Sequence, residues 1–248
     1  MGMQEYRLSG FRILEYDELE STNSEAARLR WNELEDRMVI LTYRQTHGKG
    51  QVGNRWESEP GKNISMTVVF KPEALLAGEQ FAMSMVIALG ARDFLSRYVE
   101  DVSVKWPNDV YAGERKIAGI LIEHTVVGKK VAFSFCGIGL NVNQSRFLSD
   151  APNPVSLVQL TGKEKDLTEA LAELLSAIGR RYEQVYDYDK LEKDFVSGLY
   201  RREGMFRWRD GQGTFEASVL GINEYGQLLL RDTEGKERIY GFKEVAYL

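Results

Sequence analysis

The sequence predicts an α+β fold, in which a mixed or antiparallel sheet flanked by helices is followed by a small β module. Two segments carry apolar residues at the helical i, i+3, i+4 spacing, and β-prone apolar segments lie between them. From Met205 onward the sequence pattern consists of short β-prone runs separated by Asp-Gly, Tyr-Gly and Glu-Gly turns. We place the boundary near Tyr200, so residues 1–200 form one domain and residues 201–248 the second.

The individual elements follow from local signals. Residues 22–25 fit a capping box, in which a short polar side chain closes the first turn, and predict a helix that continues to residue 35. Strands are predicted over residues 38–44 and 64–70, on either side of a glycine-rich loop. The remaining predicted elements are a helix over 79–98 with one face on the sheet, a strand over 102–111, paired strands over 116–126 and 129–143, and helices over 171–185 and 188–200.

The composition excludes several classes of protein. Of 248 residues, 43% are hydrophobic and 28% charged, and 32 Lys and Arg face 37 Asp and Glu, which argues against nonspecific phosphate binding as the main activity. The apolar runs are too short to span a bilayer, and the first residues do not form a signal peptide. One cysteine and two histidines make a disulfide or a zinc site implausible. We therefore expect a cytoplasmic protein with no membrane partner and no metal holding the fold.

The glycine-rich loop is the first candidate site. Residues 48–53 read Gly-Lys-Gly-Gln-Val-Gly, but a dinucleotide fold requires a helix at these glycines and none is predicted. The signatures of a protein kinase or a P-loop are also absent from the sequence. Glycines on both sides of Lys49, after a strand ending in Gln45, suit a loop that closes over an anion. A plain surface loop is the alternative.

Two further segments carry candidate chemistry. Lys105 begins the run Lys-Trp-Pro-Asn-Asp, where a cation, a rigid proline and two oxygen-bearing side chains suit capture of a carboxylate or phosphate. An exposed edge strand ending in a turn is the alternative. Lys116 opens a β-branched strand interrupted by Gly119, which indicates close approach of a ligand or of another backbone. A bulge or a tight sheet crossing is the alternative. Cys136 stands among apolar neighbours and is interpreted as a core residue.

Five segments occur in one order along the chain: residues 21–23, Gln45 with 48–50, residues 105–109, residues 115–121 and residues 139–142. Together they resemble the biotin–protein ligases, and the resemblance covers essentially the whole chain. It implies a catalytic domain like that of class II synthetases and an SH3-like C-terminal module. The chain resembles the form without an N-terminal DNA-binding domain, so no specific DNA partner is expected.

The resemblance also implies a reaction. Enzymes of the biotin–[acetyl-CoA-carboxylase] ligase type activate biotin with ATP to biotinyl-5′-AMP. They then transfer biotin to a lysine of a biotin carboxyl carrier protein domain in a biotin-dependent carboxylase. The reaction brings the carboxylate of biotin close to the phosphates of ATP, so cations are required to offset the repulsion between them. Mg²⁺ is the expected metal. A homodimer and a monomer both remain open.

Residue by residue, the resemblance implies three groups. The catalytic residues are Lys105 and Lys116. Biotin or biotinyl-AMP is bound by Ser21, Thr22, Asn23, Gln45, Gly48, Lys49, Gly50, Gln51, Lys116 and Gly119. The nucleotide is bound by Trp56, Asn108 and Asn141, and no metal ligand is assigned.

One departure concerns the glycine-rich loop. Many members of the family carry arginine where this chain has Lys49 and Gln51; lysine keeps the charge without the planar fork, and glutamine has no charge. Arg55 is a candidate to compensate. Two rival functions stay open: a lipoate–protein ligase, and a ligand-binding module without catalysis. Biotin-dependent release of pyrophosphate discriminates among the three.

Overall fold

The structure is a computed structural model that describes residues 2–51, 54–149 and 153–248. The strands in these ranges are β1 (Met3–Leu8), β2 (Phe11–Tyr16), β3 (Met38–Thr42), β4 (Gly48–Lys49), β5 (Arg55–Trp56), β6 (Ile64–Phe70), β7 (Val102–Lys105), β8 (Asp109–Ala112), β9 (Arg115–Val127), β10 (Lys130–Leu140), β11 (Phe206–Asp210), β12 (Gly213–Ile222), β13 (Leu228–Asp232), β14 (Glu237–Tyr240) and β15 (Val245–Tyr247). The helices are α1 (Thr22–Arg28), α2 (Phe81–Leu95), α3 (Leu157–Thr161), α4 (Leu167–Tyr182) and α5 (Tyr188–Ser197).

The strands form one large sheet, one small sheet and a ribbon. The eight-stranded sheet has the order β1-β2-β3-β6-β10-β9-β8-β7, and its neighbours are antiparallel except for the parallel pair β2 and β3. The five-stranded sheet has the order β14-β13-β12-β11-β15, and β4 pairs with β5 alone. The predicted α+β class, with a mixed sheet, flanking helices and a C-terminal β module, is confirmed.

Helix α2 is buried on more than the one face that the sequence predicts. Almost all of its residues lie in the core, because α4 covers the side that does not face the sheet. The two helices approach closely at Gly90, where an added Cβ would lie 2.7 Å from Cγ1 of Ile178. Only a residue without a side chain permits this packing distance.

Helix α1 is shorter than predicted and starts one residue earlier. Its N-cap is Ser21, whose side chain accepts a hydrogen bond from the backbone N–H of Ser24, and its C-cap Leu29 is already extended. The hydroxyl of Thr22 and the amide of Asn23 instead contact groups on the sheet, so neither closes the first turn. The local propensity of residues 29–35 therefore does not decide the helix length.

The strand predicted over residues 102–111 is two strands of a hairpin, β7 and β8. Pro107 has no backbone N–H to donate, which favours a turn between Lys105 and Asp109. The edge strand β1, its neighbour β2 and the short helix α3 are not predicted from the sequence. None of the helices in the described ranges is long and apolar enough to cross a membrane.

The segment between α5 and the small sheet is attached to the edge strand β7 of the large sheet. The backbone N–H of Val104 donates to Gly198 O at 2.8 Å, and that of Tyr200 donates to Val104 O at 2.9 Å. Trp106 directly follows β7, and its indole Nε1 donates to Gly226 O at 2.9 Å. Gly226 lies in the turn between β12 and β13 of the small sheet. The boundary near Tyr200 stays a prediction, and these contacts lie on either side of it.

Replacing Gly90 tests the close approach of α2 and α4. The change Gly90→Ala should lower the free energy of unfolding by about 1–3 kcal/mol, because the methyl group overlaps Ile178. Urea unfolding followed by circular dichroism measures it. The matched control is Gly78→Ala, where an added Cβ meets nothing within 4 Å. Equal stability of Gly90→Ala and the wild type would contradict the packing described.

Candidate functional site

A cavity of about 130 Å³ opens between the start of α1, the β4–β5 ribbon and strands β8, β9 and β10. It is lined by Ser21, Thr22, Asn23, Gln45, Lys49, Gly50, Gln51, Asn54, Arg55, Trp56, Asn108, Asp109, Lys116, Gly119, Ile120, Leu121, Gly137, Ile138 and Gly139. Most of the predicted site residues therefore share one cavity, although they come from separate parts of the chain. Gly48 lies directly beneath its wall, against the side chains of Gln45 and Trp56.

One end of the cavity is polar and uncharged. The backbone N–H of Thr22 donates to Oε1 of Gln45 at 3.0 Å. The hydroxyl of Thr67 lies 2.9 Å from Oγ1 of Thr22 and 2.6 Å from Oδ1 of Asn23. The amide of Asn23 donates to Oε2 of Glu123 at 2.8 Å, which fixes the orientation of the side chain. This end presents donors and acceptors in fixed positions, suited to a neutral polar group.

The floor of the cavity is rich in glycine, with Gly119, Gly137 and Gly139 on strands β9 and β10. Gly119 and Gly139 are direct partners across β9 and β10, and the ring of Trp56 lies on both. An added Cβ would lie 2.2 Å from Cε2 of Trp56 at Gly139 and 2.8 Å from its Cζ3 at Gly119. At Gly137 it would lie 2.2 Å from Oδ1 of Asn23. The glycines in these strands therefore mark the close approach of side chains, and the ladder between β9 and β10 has no bulge at these positions. Close approach of a ligand at Gly119 stays a prediction.

The other end of the cavity is cationic. Nζ of Lys116 lies 2.7 Å from Oδ1 of Asp109, and both side chains are about one-quarter exposed. The same ammonium lies 5.6 Å from the ring centroid of Trp56. Lys49 and Arg55 are directly opposite each other in the ribbon, and both are exposed. Like charges in this arrangement repel, so an anion bound between them lowers the electrostatic energy.

The glycine-rich loop forms a two-stranded ribbon, and among the described residues no helix begins at its glycines. Nε2 of Gln51 donates to Oδ1 of Asn108 at 3.1 Å, so the loop is tied to the turn after β7 through a neutral contact. The amide of Asn108 donates in turn to the carbonyl of Ile120. Val52 and Gly53, the last two residues of the glycine motif, lie outside the described residues.

Besides Gly48, two predicted site residues are not on the cavity wall. The ammonium of Lys105 is turned toward a group of tyrosines and donates to the hydroxyl of Tyr111 at 3.1 Å. Asn141 is buried, and its amide donates to Val155 O at 3.0 Å, whereas its Oδ1 has no partner among the described residues. The catalytic role of Lys105 and the nucleotide contact of Asn141 stay predictions.

Sequence reasoning missed Glu57, which follows Trp56 directly. Its carboxylate accepts hydrogen bonds from the backbone N–H groups of Leu148 at 2.9 Å and Ser149 at 2.7 Å, and from Nε2 of Gln144 at 2.9 Å. Burial raises the pKa of Glu57, but these hydrogen bonds outweigh it and hold the pKa below its usual value. The contacts join segments some ninety residues apart, so no local pattern in the sequence signals them.

Comparisons with known proteins agree with this geometry. The model of the biotin/lipoate A/B protein ligase family matches residues 17–141, which include every residue on the cavity wall. The bifunctional ligase/repressor BirA of Bacillus subtilis is 27% identical and aligns with 93% of this chain and 73% of its own length. The biotin--[acetyl-CoA-carboxylase] ligase of Paracoccus denitrificans is 30% identical, with 89% of this chain and 94% of that protein covered.

A solved structure has the same fold. The biotin protein ligase from Aquifex aeolicus, in complex with biotin and ATP, superposes with a TM-score of 0.76. The alignment covers 94% of this chain and 97% of that chain at 24% identity. This likeness extends over both sheets, so the small C-terminal sheet is part of the shared architecture.

Gly139→Ala tests the contact between the floor and Trp56. The methyl group should displace the indole from the strands, because it would overlap the ring. We expect a red shift of tryptophan emission that is absent when the same change is made in a Trp56→Phe background. Gly211→Ala, where an added Cβ meets nothing within 4 Å, is the control. Unchanged emission in Gly139→Ala would show that the ring does not rest on this glycine.

Proposed function

The chain belongs to the biotin/lipoate A/B protein ligase family, and on that basis we propose that it is a biotin–protein ligase. It activates biotin with ATP to biotinyl-5′-AMP and transfers biotin to a lysine of a biotin carboxyl carrier protein domain. The observation that carries this proposal is the cavity with a neutral polar end, a glycine floor and a cationic end. Biotin has the same sequence of parts: a neutral ureido ring, an aliphatic chain and a carboxylate.

Each part of biotin is assigned to one part of the cavity. The ureido ring is held by Ser21, Thr22, Asn23 and Gln45, which offer donors and acceptors without a net charge. The methylene chain lies along Gly119 and Gly139 beneath Trp56. Because the indole rests on both glycines, it must lift from the strands to admit the chain. Closure of the ring over the chain then removes apolar surface from water.

The first step brings two anions together. A carboxylate oxygen of biotin forms a bond to the α-phosphorus of ATP, and the bond from that phosphorus to pyrophosphate breaks. Lys116, Lys49 and Arg55 offset the repulsion between carboxylate and phosphate, and Asp109 holds the ammonium of Lys116 at the cavity wall. The mixed anhydride persists only while water is excluded, which the ribbon and Trp56 accomplish from one side.

The second step is an attack by the acceptor lysine. Its neutral amine forms a bond to the carbonyl carbon of biotinyl-AMP, AMP leaves, and the amine loses a proton as the amide forms. Gln51 and Asn108 stand at the rim of the cavity and are joined by a hydrogen bond of 3.1 Å. We assign them to contacts with the adenylate, as for Trp56. Asn141 lies off the cavity wall, so its contact with the nucleotide stays a prediction.

Mg²⁺ fits this site as a companion of ATP. No group of three or more His, Cys, Asp and Glu side chains able to hold a metal occurs among the described residues. Mg²⁺ commonly binds through one or two carboxylates together with substrate phosphates. Asp109 is the carboxylate on the cavity wall that meets this need. When bound, the ion neutralises phosphate charge. The cytoplasmic location, the oligomeric state and the lack of a specific DNA partner stay predictions.

Exchange of labelled pyrophosphate into ATP tests the reaction and its substrate. We expect exchange that depends on biotin and is not supported by lipoate, because the cavity offers a polar uncharged end for the ureido ring. The measurement is repeated with lipoate as competitor. Exchange with lipoate and none with biotin would favour a lipoate–protein ligase. Binding of biotin without any exchange would favour the noncatalytic module.

Lys116→Ala tests the cationic end. The variant should lose roughly tenfold to a hundredfold in the rate of biotin-dependent exchange, because a charge-assisted contact to an anion is removed. Its fold should persist, since the side chain is partly exposed at the cavity wall. Lys193→Ala, an exposed lysine on α5, is the control. Near-normal exchange in folded Lys116→Ala would remove this residue from the reaction.

A further inference from the structure

We infer that Lys105 is a positioning residue, which clamps the C-terminal sheet to strand β7 and thereby fixes Asn108 and Asp109 at the cavity. This assignment replaces direct contact with substrate by a contact between the two sheets. It rests on the proposed function, because its main readout is the ligase reaction. Four observations support it: the surroundings of the ammonium, its electrostatics, the contacts of its neighbours and the course of the chain after it.

The ammonium of Lys105 lies in a cage of three tyrosine rings. Its Nζ is 4.7 Å from the ring centroid of Tyr111, 5.6 Å from that of Tyr200 and 4.9 Å from that of Tyr247. Tyr111 belongs to β8 of the large sheet, whereas Tyr247 belongs to β15 of the small one. The faces of aromatic rings attract cations, so one ammonium stabilises the contact of both sheets.

The cage is built from rings that also pack on each other. The centroids of Tyr111 and Tyr200 are 5.3 Å apart, and those of Tyr200 and Tyr247 are 5.7 Å apart. Tyr247 in turn lies 4.3 Å from Trp208, which is fully buried in the small sheet. A displacement of Lys105 therefore reaches the core of the small sheet through directly touching rings.

The charge of Lys105 has few other partners. Burial lowers the pKa of its ammonium, whereas the nearby carboxylate of Asp109 raises it and the cations Arg201 and Lys116 lower it further. Arg201 is itself engaged, since its Nη1 donates to the carbonyl of Leu248 at 2.7 Å. The ring faces thus supply much of the stabilisation that water gives to an exposed lysine.

The residues after Lys105 connect the cage to the cavity. Trp106 donates its indole N–H to Gly226 in the C-terminal module, so two consecutive residues bind the same module. Two residues later Asn108 and Asp109 line the cavity, and Asp109 is also the register partner of Lys105 in the β7–β8 hairpin. The hairpin therefore contacts the C-terminal module through Lys105 and Trp106 and the cavity through Asn108 and Asp109. A shift of the module moves the side chains that hold Lys116 and Gln51.

A double-mutant cycle tests the inference. Lys105→Met, Tyr247→Leu and the double variant are compared in biotin-dependent pyrophosphate exchange, with Lys105→Arg as the conservative variant and Lys193→Met as the surface control. Each single change should lower kcat/KM for ATP roughly tenfold, and the double change should lower it by less than the product of the two, because the contact between Lys105 and Tyr247 is lost in both single variants. Lys105→Arg should stay within about threefold of the wild type, because a guanidinium also stacks on aromatic rings.

The outcomes separate the alternatives. Multiplying effects in the double variant, or an activity of Lys105→Arg as low as that of Lys105→Met, would overturn the inference in favour of direct contact with substrate. Thermal unfolding of the wild type, the two single variants and the double variant measures the contact without substrate, and additive shifts in Tm would also overturn the inference. If Lys105→Met does not fold, Lys105→Arg and Tyr247→Leu decide. Absence of exchange in the wild type would refute the proposed function, whereas the thermal cycle still tests the cage.

Discussion

The contact of Trp56 with two paired strands is the constraint on which the site depends. Gly119 and Gly139 are register partners, and neither position has room for a side chain beneath the indole. Gly137 allows Asn23 the same close approach from α1. The ribbon, the first helix and the strands β9 and β10 can therefore meet around one narrow space only because these strands expose backbone there. Stability that larger residues would add to the sheet is given up to form this space.

One short hairpin contacts both the cavity and the small C-terminal sheet. The turn between β7 and β8 supplies Asn108 and Asp109 to the cavity, whereas Lys105 and Trp106, just before it, contact the small C-terminal sheet. The five residues 105–109 thus contact both the cavity and the C-terminal module. The small sheet contributes no residue to the cavity wall among the described residues, but it holds the hairpin that does. This arrangement explains how a module outside the wall can influence the reaction.

Much of the fold and most of the cavity were predictable, because periodicity and glycine within a β-branched strand are local signals. The sequence indicated the strand β6, the pair β9 and β10, and close approach at Gly119. Local signals failed where a distant contact decides: after α1 the chain is extended at Leu29, which packs on a second core cluster together with Leu34, and α2 is covered by α4. The direction of Lys105 depends on Tyr247, far along the chain, and the partners of Glu57 are equally remote. No spacing rule contains that information.

Cys136, the single cysteine of the chain, lies in the middle of β10 with no exposed surface. Burial raises the pKa of its thiol, so the reactive thiolate is scarce as well as inaccessible. A maleimide reagent will therefore modify a cysteine introduced on the surface while the native one stays protected. The same protection means that the labelling rate of the native thiol measures how often the central strands separate, without any added probe.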